Sequence, residues 1–224
     1  MGGRGKHWAI IGATLVATLF FGAGDQWIGS LDNGVLRQVS VGMSALWLVV
    51  PFAAGLAMAR QREAIAMGLA ATWLSVLAYA AMIVSPWEGT HLGPPPAGFH
   101  GSWNELSMHV FLRALSSQRV WFAGGLLSGP LTGLLGFEWR TRRHWAYALP
   151  VALALVFEPV AHWLAGRIGF NYFGGASMGW PTDGGGQMAE VVESCLGAVV
   201  TWWVIRVGRP TSRDPGVPLG SGSQ

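Results

Sequence analysis

Six apolar stretches, each about 20 residues long and nearly free of charged side chains, run along this 224-residue chain. A helix needs about 20 mostly apolar residues to cross the hydrocarbon core of a bilayer. In lipid, only helices and closed barrels satisfy their own backbone hydrogen bonds. The stretches therefore predict six transmembrane helices, over residues 7–31, 40–59, 64–84, 120–139, 145–164 and 187–207, with a long polar loop over residues 85–118.

The composition agrees with a membrane protein, since 51% of the residues are hydrophobic and only 11% are charged. A soluble domain carries about 25% charged residues, and a disordered chain is charged and poor in aromatic residues. We therefore predict an all-α polytopic protein, a six-transmembrane-helix bundle that forms one domain over residues 1–207. Residues 208–224 are rich in Gly, Ser and Pro and predict a disordered tail.

The basic residues predict the orientation of the bundle. Ten of the 14 Lys and Arg residues lie at the end of the spans that also holds both termini. The positive-inside rule therefore places both termini in the cytoplasm. These basic clusters are short and lie between apolar runs, so they indicate membrane topology, with lipid as a partner, and argue against nucleic acid.

Cysteine and histidine usage excludes several kinds of site. The single cysteine, Cys195, excludes a disulfide framework and a cysteine-rich metal site. Among the histidines of the predicted loop, His91, His100 and His109 lack the spacing of metal ligands. A carboxylate–imidazole metal site is the less favoured alternative, so we expect no metal and no other cofactor.

Apart from Glu138, which lies at the end of its span, four carboxylates fall inside the predicted spans: Asp25, Glu158, Glu190 and Glu193. An ionisable side chain at membrane depth costs about 2.5–3.5 kcal/mol and indicates a functional site by default. The helical rise puts Glu158 and Glu193 at nearly the same depth, and His162 shares a helix face with Glu158. Packed carboxylates in low dielectric cannot all ionise, so one is expected to hold a proton. These five residues are the candidate catalytic residues; helix-to-helix hydrogen bonding is their alternative role.

Aromatic residues are the second notable group. Most of the 13 Trp residues lie near span ends, as an interfacial belt requires, but several aromatic residues lie deeper. Aromatic faces stabilise cations by about 2 kcal/mol or more in dry surroundings, so a cavity that combines them with a protonated carboxyl suits carbocation chemistry. Bulk packing is the alternative. The candidate substrate-binding residues of an aromatic-lined cavity are Trp47, Phe52, Trp73, Tyr79, Phe157 and Trp202.

A glycine stripe marks the fourth predicted span, where Gly125, Gly129 and Gly133 recur every four residues. Small residues at this spacing let two helix backbones approach closely in lipid. Packing inside the bundle is the expected role, and an oligomer contact between copies is the alternative.

Two segments resemble an uncharacterised family of small bacterial integral-membrane proteins. They are residues 46–55, LWLVVPFAAG, which lead into the third span with Tyr79, and residues 121–130, WFAGGLLSGP, which continue with Gly133 towards Glu158. The resemblance implies a location in the bacterial plasma membrane and carries no activity.

In size, helical architecture, embedded acids and Trp content the chain also resembles the small membrane-bound terpene cyclases of bacterial indole-sesquiterpenoid pathways, and more distantly the fungal meroterpenoid cyclases. This resemblance implies metal-independent, proton-initiated cyclisation of a farnesyl chain on a lipophilic prenylated aromatic substrate of the indole type. Glu158 or Asp25 then matches the general acid by role. Glu193, Glu190 and His162 match groups that tune the acid or accept the final proton.

Two other classes of function use the same features. A proton-coupled small transporter would use the embedded acids as a relay, although no internal repeat is detectable in the sequence. A non-catalytic membrane protein would use the glycine stripe as its contact surface. The cyclase is the leading hypothesis.

Overall fold

The computed structural model describes residues 2–31, 36, 44–85, 102–168, 171–172, 176–177 and 184–208. This part of the chain is essentially all-α. Its seven α-helices are α1 (Gly2–Ser30), α2 (Leu46–Ala57), α3 (Gln61–Ile83), α4 (Trp103–Ser117), α5 (Arg119–Arg142), α6 (Leu149–Ile168) and α7 (Gly184–Val207). A 3₁₀ turn, Trp145–Tyr147, precedes α6, and two antiparallel two-residue strands, β1 (Asn171–Tyr172) and β2 (Ala176–Ser177), follow it.

Four of the predicted spans are helices that are long and apolar enough to cross a membrane. They lie in α1, α3, α5 and α7. The second and fifth predicted spans contain shorter apolar helices, Leu46–Ala57 and Leu149–Leu164. Helix α2 is short because the backbone becomes extended at Met58, while residues 40–43 of its predicted span lie outside the described residues. The count of six spans therefore stays a prediction.

The predicted loop over residues 85–118 contains a helix, α4. Leu106 of this helix is buried, while Met108 and Leu112 are exposed. Polar residues between the apolar ones lower the hydropathy below that of a span, although the apolar residues still recur at helical spacing. His109 is exposed on α4, and His91 and His100 lie outside the described residues, as does the predicted tail beyond Gly208.

Helix α5 packs closely against α2 and α3 through its glycine stripe. A Cβ atom added to Gly133 would lie 2.9 Å from the Gly68 Cα, and one added to Gly129 would lie 2.8 Å from the Thr72 Oγ1. A Cβ atom on Gly125 would lie 2.8 Å from the Thr72 Cγ2. The stripe therefore serves helix packing within the chain, and an oligomer contact through these glycines stays a prediction.

Helices α6 and α7 pack on each other and form a hairpin-like unit. Gly197 lets them approach, since a Cβ atom there would lie 2.7 Å from the Val156 amide nitrogen. At one end this unit joins the other helices through an apolar cluster that includes Phe52, Trp139 and Val204. The Trp139 and Trp203 ring centroids are 5.4 Å apart there. Further along α6, the second junction is polar and contains Glu158.

Candidate functional site

The Glu158 side chain of α6 caps the N-terminus of α2. Its Oε1 accepts a hydrogen bond from the Ser44 backbone N–H at 2.8 Å and another from the Ser44 hydroxyl. Its Oε2 accepts the Ala45 backbone N–H at 2.6 Å. The first N–H groups of a helix lack partners within the helix, and a helix N-terminus favours negative charge. The surroundings of Glu158 therefore suit a carboxylate, which accepts hydrogen bonds and donates none.

The His162 imidazole lies between carboxyl groups of two helices. Its Nδ1 is 2.8 Å from the Glu190 Oε1 of α7. Its Nε2 is 3.8 Å from the Glu158 Oε1, one turn back along α6. His162 and Glu190 are only 8% and 4% exposed. The imidazole therefore connects Glu158 to Glu190 in surroundings that exclude most water.

Glu193 lies one turn from Glu190 on α7 and is 0% exposed. In the described part of the chain, no N–H or O–H group donates a hydrogen bond to either of its carboxyl oxygens. The Glu193 carboxyl is a near neighbour of the Glu158 carboxyl. Because two carboxylates have no donor between them, a hydrogen bond between these groups requires a shared proton. We call Glu158, His162, Glu190 and Glu193 the acid cluster.

A pocket of about 860 Å³ is connected to the acid cluster through Ser44. Its walls come from the start of α2, the middle of α3, the end of α4 and the first half of α5. Ser44, Trp47 and Trp121 are among the lining residues. Ser44 therefore connects the two features, because it lines the pocket and its hydroxyl contacts Glu158.

Trp47 is the centre of an aromatic group that connects four helices. Its ring meets Phe21 of α1 edge to face at 5.4 Å and Tyr79 of α3 at 6.0 Å. It stacks on Trp121 of α5 at 6.4 Å. Offset-stacked and edge-to-face pairs are the favourable aromatic arrangements, so this group is well packed at one wall of the pocket.

The other candidate wall residues lie elsewhere. Trp73 does not line the pocket, and its indole N–H donates to the Phe122 carbonyl at 3.2 Å. Phe52 is buried beside Trp139, with ring centroids 6.0 Å apart. Phe157 and Trp202 are 56% and 57% exposed on the outer surface of the helices. Of the six candidates, only Trp47 is among the described lining residues of the pocket. Tyr79 packs against the Trp47 ring.

Asp25, the fourth candidate acid, is half-buried on α1. It lies one helical turn beyond Phe21 and shares its face. This places Asp25 on the side of α1 that carries the aromatic group, whereas the acid cluster belongs to α6 and α7.

Sequence reasoning missed Ser44 and Trp121. Ser44 lies inside the predicted span over residues 40–59, so its position just before a helix was hidden, although serine is common at helix starts. Trp121 lies at a span end, where the interfacial belt explains a tryptophan without any pocket. If the sequence had shown that α2 begins at Leu46, the position of Ser44 just before the helix would have marked it as a capping candidate.

Among the described residues, no group of three His, Cys, Asp or Glu side chains is arranged to hold a metal ion. The expectation of a site without metal or cofactor stays a prediction.

Compared with models of protein families, with curated proteins and with solved structures, the chain matches none. The resemblance to membrane-bound terpene cyclases therefore stays an expectation, and the functional interpretation depends on the residues of the site.

Proposed function

We propose that this protein is a membrane-embedded terpene cyclase, which performs proton-initiated cyclisation of a farnesyl chain on a prenylated aromatic substrate of the indole type. The observation that carries the proposal is the position of Ser44, between the pocket and Glu158 of the acid cluster. It supports a path for a proton from buried carboxyl groups to a molecule in the pocket.

The proposed setting is a six-span bundle in a bacterial plasma membrane, with both termini in the cytoplasm. The shorter helices α2 and α6 are the second and fifth spans. Arg140 and Arg142 at the end of α5, together with Arg206 at the end of α7, lie at the cytoplasmic end in this orientation. The pocket then lies in the outer half. Its exposed lining residues Ala123 and Gly124 provide a side from which a lipophilic substrate enters.

The proposed reaction is an isomerisation in which atoms and electrons balance. The O–H bond of the acid breaks, and the proton forms a C–H bond with the terminal alkene of the farnesyl chain. The resulting cation is attacked by a neighbouring double bond, which closes a ring. A C–H bond then breaks, and its proton passes to a carboxylate while a double bond forms. The pocket forms the aromatic-lined cavity of this proposal. The faces of Trp47 and Trp121 each stabilise the cation by about 2 kcal/mol when water is excluded.

In this proposal each group of the acid cluster has its own role. Glu193 holds the proton, because the Glu158 oxygens already accept hydrogen bonds from Ser44 and Ala45. Glu158 passes the proton on through the Ser44 hydroxyl, which accepts one proton and gives up another. The proton released in the last step passes back to a carboxylate of the cluster, and His162, which contacts Glu158 and Glu190, returns it to the donor. Asp25 is the second candidate, as an acid or a final proton acceptor on the Phe21 side.

The test uses the full chain in nanodiscs supplied with a farnesylated indole and analysed by mass spectrometry. We expect a product of unchanged mass and new retention time. Glu193→Gln should abolish it, because the amide keeps the size and a donor for Glu158 but carries no acidic proton. The matched control is Glu138→Gln. Glu138 does not line the pocket, and its Oε2 forms an ion pair with the Arg142 Nε at 2.6 Å. No isomer from several prenylated acceptors would overturn the proposal.

A proton-coupled small transporter is the second candidate, favoured by the continuous contact of Glu190, His162 and Glu158 across α6 and α7. Such a series of exchanging groups is typical of proton relays in membranes. Proton uptake into proteoliposomes that depends on Glu193, without any isomerised product, would favour it over the cyclase.

A further inference from the structure

The pocket differs in polarity between its two ends. Ser117, Gln118 and Arg119 line it where α4 ends and α5 begins. Nine residues further along α5, about 14 Å at the rise of an α-helix, the lining reaches Ser128. Between these points the walls include Trp47, Leu48, Val76 and Trp121 among glycines and alanine. A ligand that fills the pocket therefore meets one charged end and a mostly apolar body.

Arg119 contributes the charge at the polar end. Within the described residues, none of the ion pairs includes Arg119. Its guanidinium carries five donors in a fixed geometry that fits carboxylates and phosphates. The neighbouring Gln118 side chain adds an amide donor at the same end.

Within the described residues, the other polar groups at this end do not neutralise Arg119. The Ser117 hydroxyl donates to the Ala114 carbonyl at 2.6 Å, so it is already engaged with its own helix. The carboxyls of the acid cluster belong to α6 and α7, and Ser44 separates them from the pocket. The pocket lining itself contains an arginine and no acidic residue among the residues described.

We infer that the ligand of this pocket is an amphiphile with a prenyl chain and an anionic head group, a carboxylate or a phosphate, which Arg119 binds. From the head group at Arg119 the chain extends past Trp121 into the apolar part of the pocket, which Trp47 and Ser44 also line. This inference rests on the proposed function in taking the chain to be prenyl, and it goes beyond it in giving the head group a charge. A phospholipid offers the same anionic chemistry and is the other source of such a group.

The test measures equilibrium binding of radiolabelled probes to the full-length protein in phosphatidylcholine nanodiscs, with empty nanodiscs subtracted. The probes share one chain: farnesyl phosphate and farnesoic acid are anionic, and farnesol is neutral. We expect the anionic probes to bind about tenfold more tightly than farnesol, as a charge-assisted hydrogen bond provides. Arg119→Gln should remove this preference, and Arg119→Lys should restore part of it.

The matched control is Arg113→Gln, since Arg113 is an exposed arginine of α4 that does not line the pocket. It should keep the preference for anionic probes. Equal affinities for farnesol and farnesyl phosphate, or equal losses in Arg113→Gln and Arg119→Gln, would overturn the inference. Nanodiscs that contain phosphatidylglycerol distinguish the sources: displacement of farnesyl phosphate by this lipid, dependent on Arg119, supports the anionic site and assigns it to a lipid head group.

Binding is measured without turnover, so the experiment can contradict the anionic head-group site without contradicting the cyclase proposal, and the reverse. If no farnesylated substrate is isomerised, the ratio of probe affinities still tests Arg119. If farnesylated indole is isomerised while charged and neutral probes bind equally, the cyclase proposal stands and the anionic head group does not.

Discussion

The Oε2 atom of Glu158 accepts the backbone N–H of Ala45 at 2.6 Å, although the two residues are 113 positions apart in the chain. The bond joins α6 to the first turn of α2, and it belongs to a set of hydrogen bonds that an amide side chain can replace only in part. Glu158 therefore stabilises the junction of the two helices besides any chemical role.

Glu158→Gln should destabilise the protein. The amide NH₂ would face backbone N–H groups of Ser44 or Ala45, so at least one buried donor would lose its acceptor, at a cost of about 1–3 kcal/mol. Thermal unfolding in detergent should therefore show a lower Tm. Glu193→Gln, which faces no such donors, should keep a Tm close to that of the unmodified protein. Equal Tm values for the two variants would contradict the role of Glu158 at the helix junction.

Ser44→Ala should separate the proton path from the fold. The variant keeps both backbone N–H bonds to Glu158 and loses the hydroxyl contact. We expect nearly unchanged stability and a kcat for isomerisation lower by about 10²–10⁴-fold, as for loss of a proton-transfer group. Ser44→Thr should recover activity, because its hydroxyl can occupy the same position. Initial rates measured by mass spectrometry check this, and full activity of Ser44→Ala would exclude the relay.

Trp47→Leu and Trp202→Leu are matched variants that compare a tryptophan of the pocket wall with one on the exposed surface. Trp47 lines the pocket and contacts three other rings. Trp202 is exposed and packs under Arg206 at 4.6 Å. Loss of about 2 kcal/mol of cation stabilisation at Trp47 should lower turnover by about 30-fold, whereas Trp202→Leu should leave turnover unchanged. Product analysis that ranks the two variants the other way would contradict the assigned cavity wall.

Gly124→Ala and Gly133→Ala test the two faces of α5. A Cβ atom on Gly124 would meet nothing within 4 Å, whereas one on Gly133 would contact the Ala64 carbonyl and lie 2.9 Å from the Gly68 Cα. Overpacking of this kind costs about 1–3 kcal/mol. We expect Gly133→Ala to lower the Tm and Gly124→Ala to leave it unchanged. Similar Tm values for both variants would contradict the close packing of α5 against α3.

Much of the acid cluster follows from the sequence, because helical rise and periodicity are local properties. Counting residues along antiparallel spans predicted that Glu158 and Glu193 lie at nearly the same depth, and in the structure their carboxyl groups are near neighbours. The spacing of Glu158 and His162 likewise predicted a shared face, and both side chains belong to the cluster.

The pocket could not be predicted in the same way. In lipid, the exposed face of a span is as apolar as its buried face, so hydropathy does not tell which side of a helix faces a neighbour. Hydropathy therefore did not distinguish Phe157 and Trp202, which are exposed, from Trp47, which lines the pocket. The start of α2 is also a tertiary property, since the Glu158 side chain of a distant helix caps it.

The carboxyl groups of the acid cluster all belong to α6 and α7, whereas the pocket walls belong to α2, α3, α4 and α5. Ser44 and Ala45 are the points at which the two sets of helices exchange hydrogen bonds in this region. Substitutions that reshape the walls away from Ser44 therefore leave the carboxyl groups in place. Under the proposed function, the range of accepted substrates can diverge between descendants of this chain while the acid chemistry is inherited unchanged.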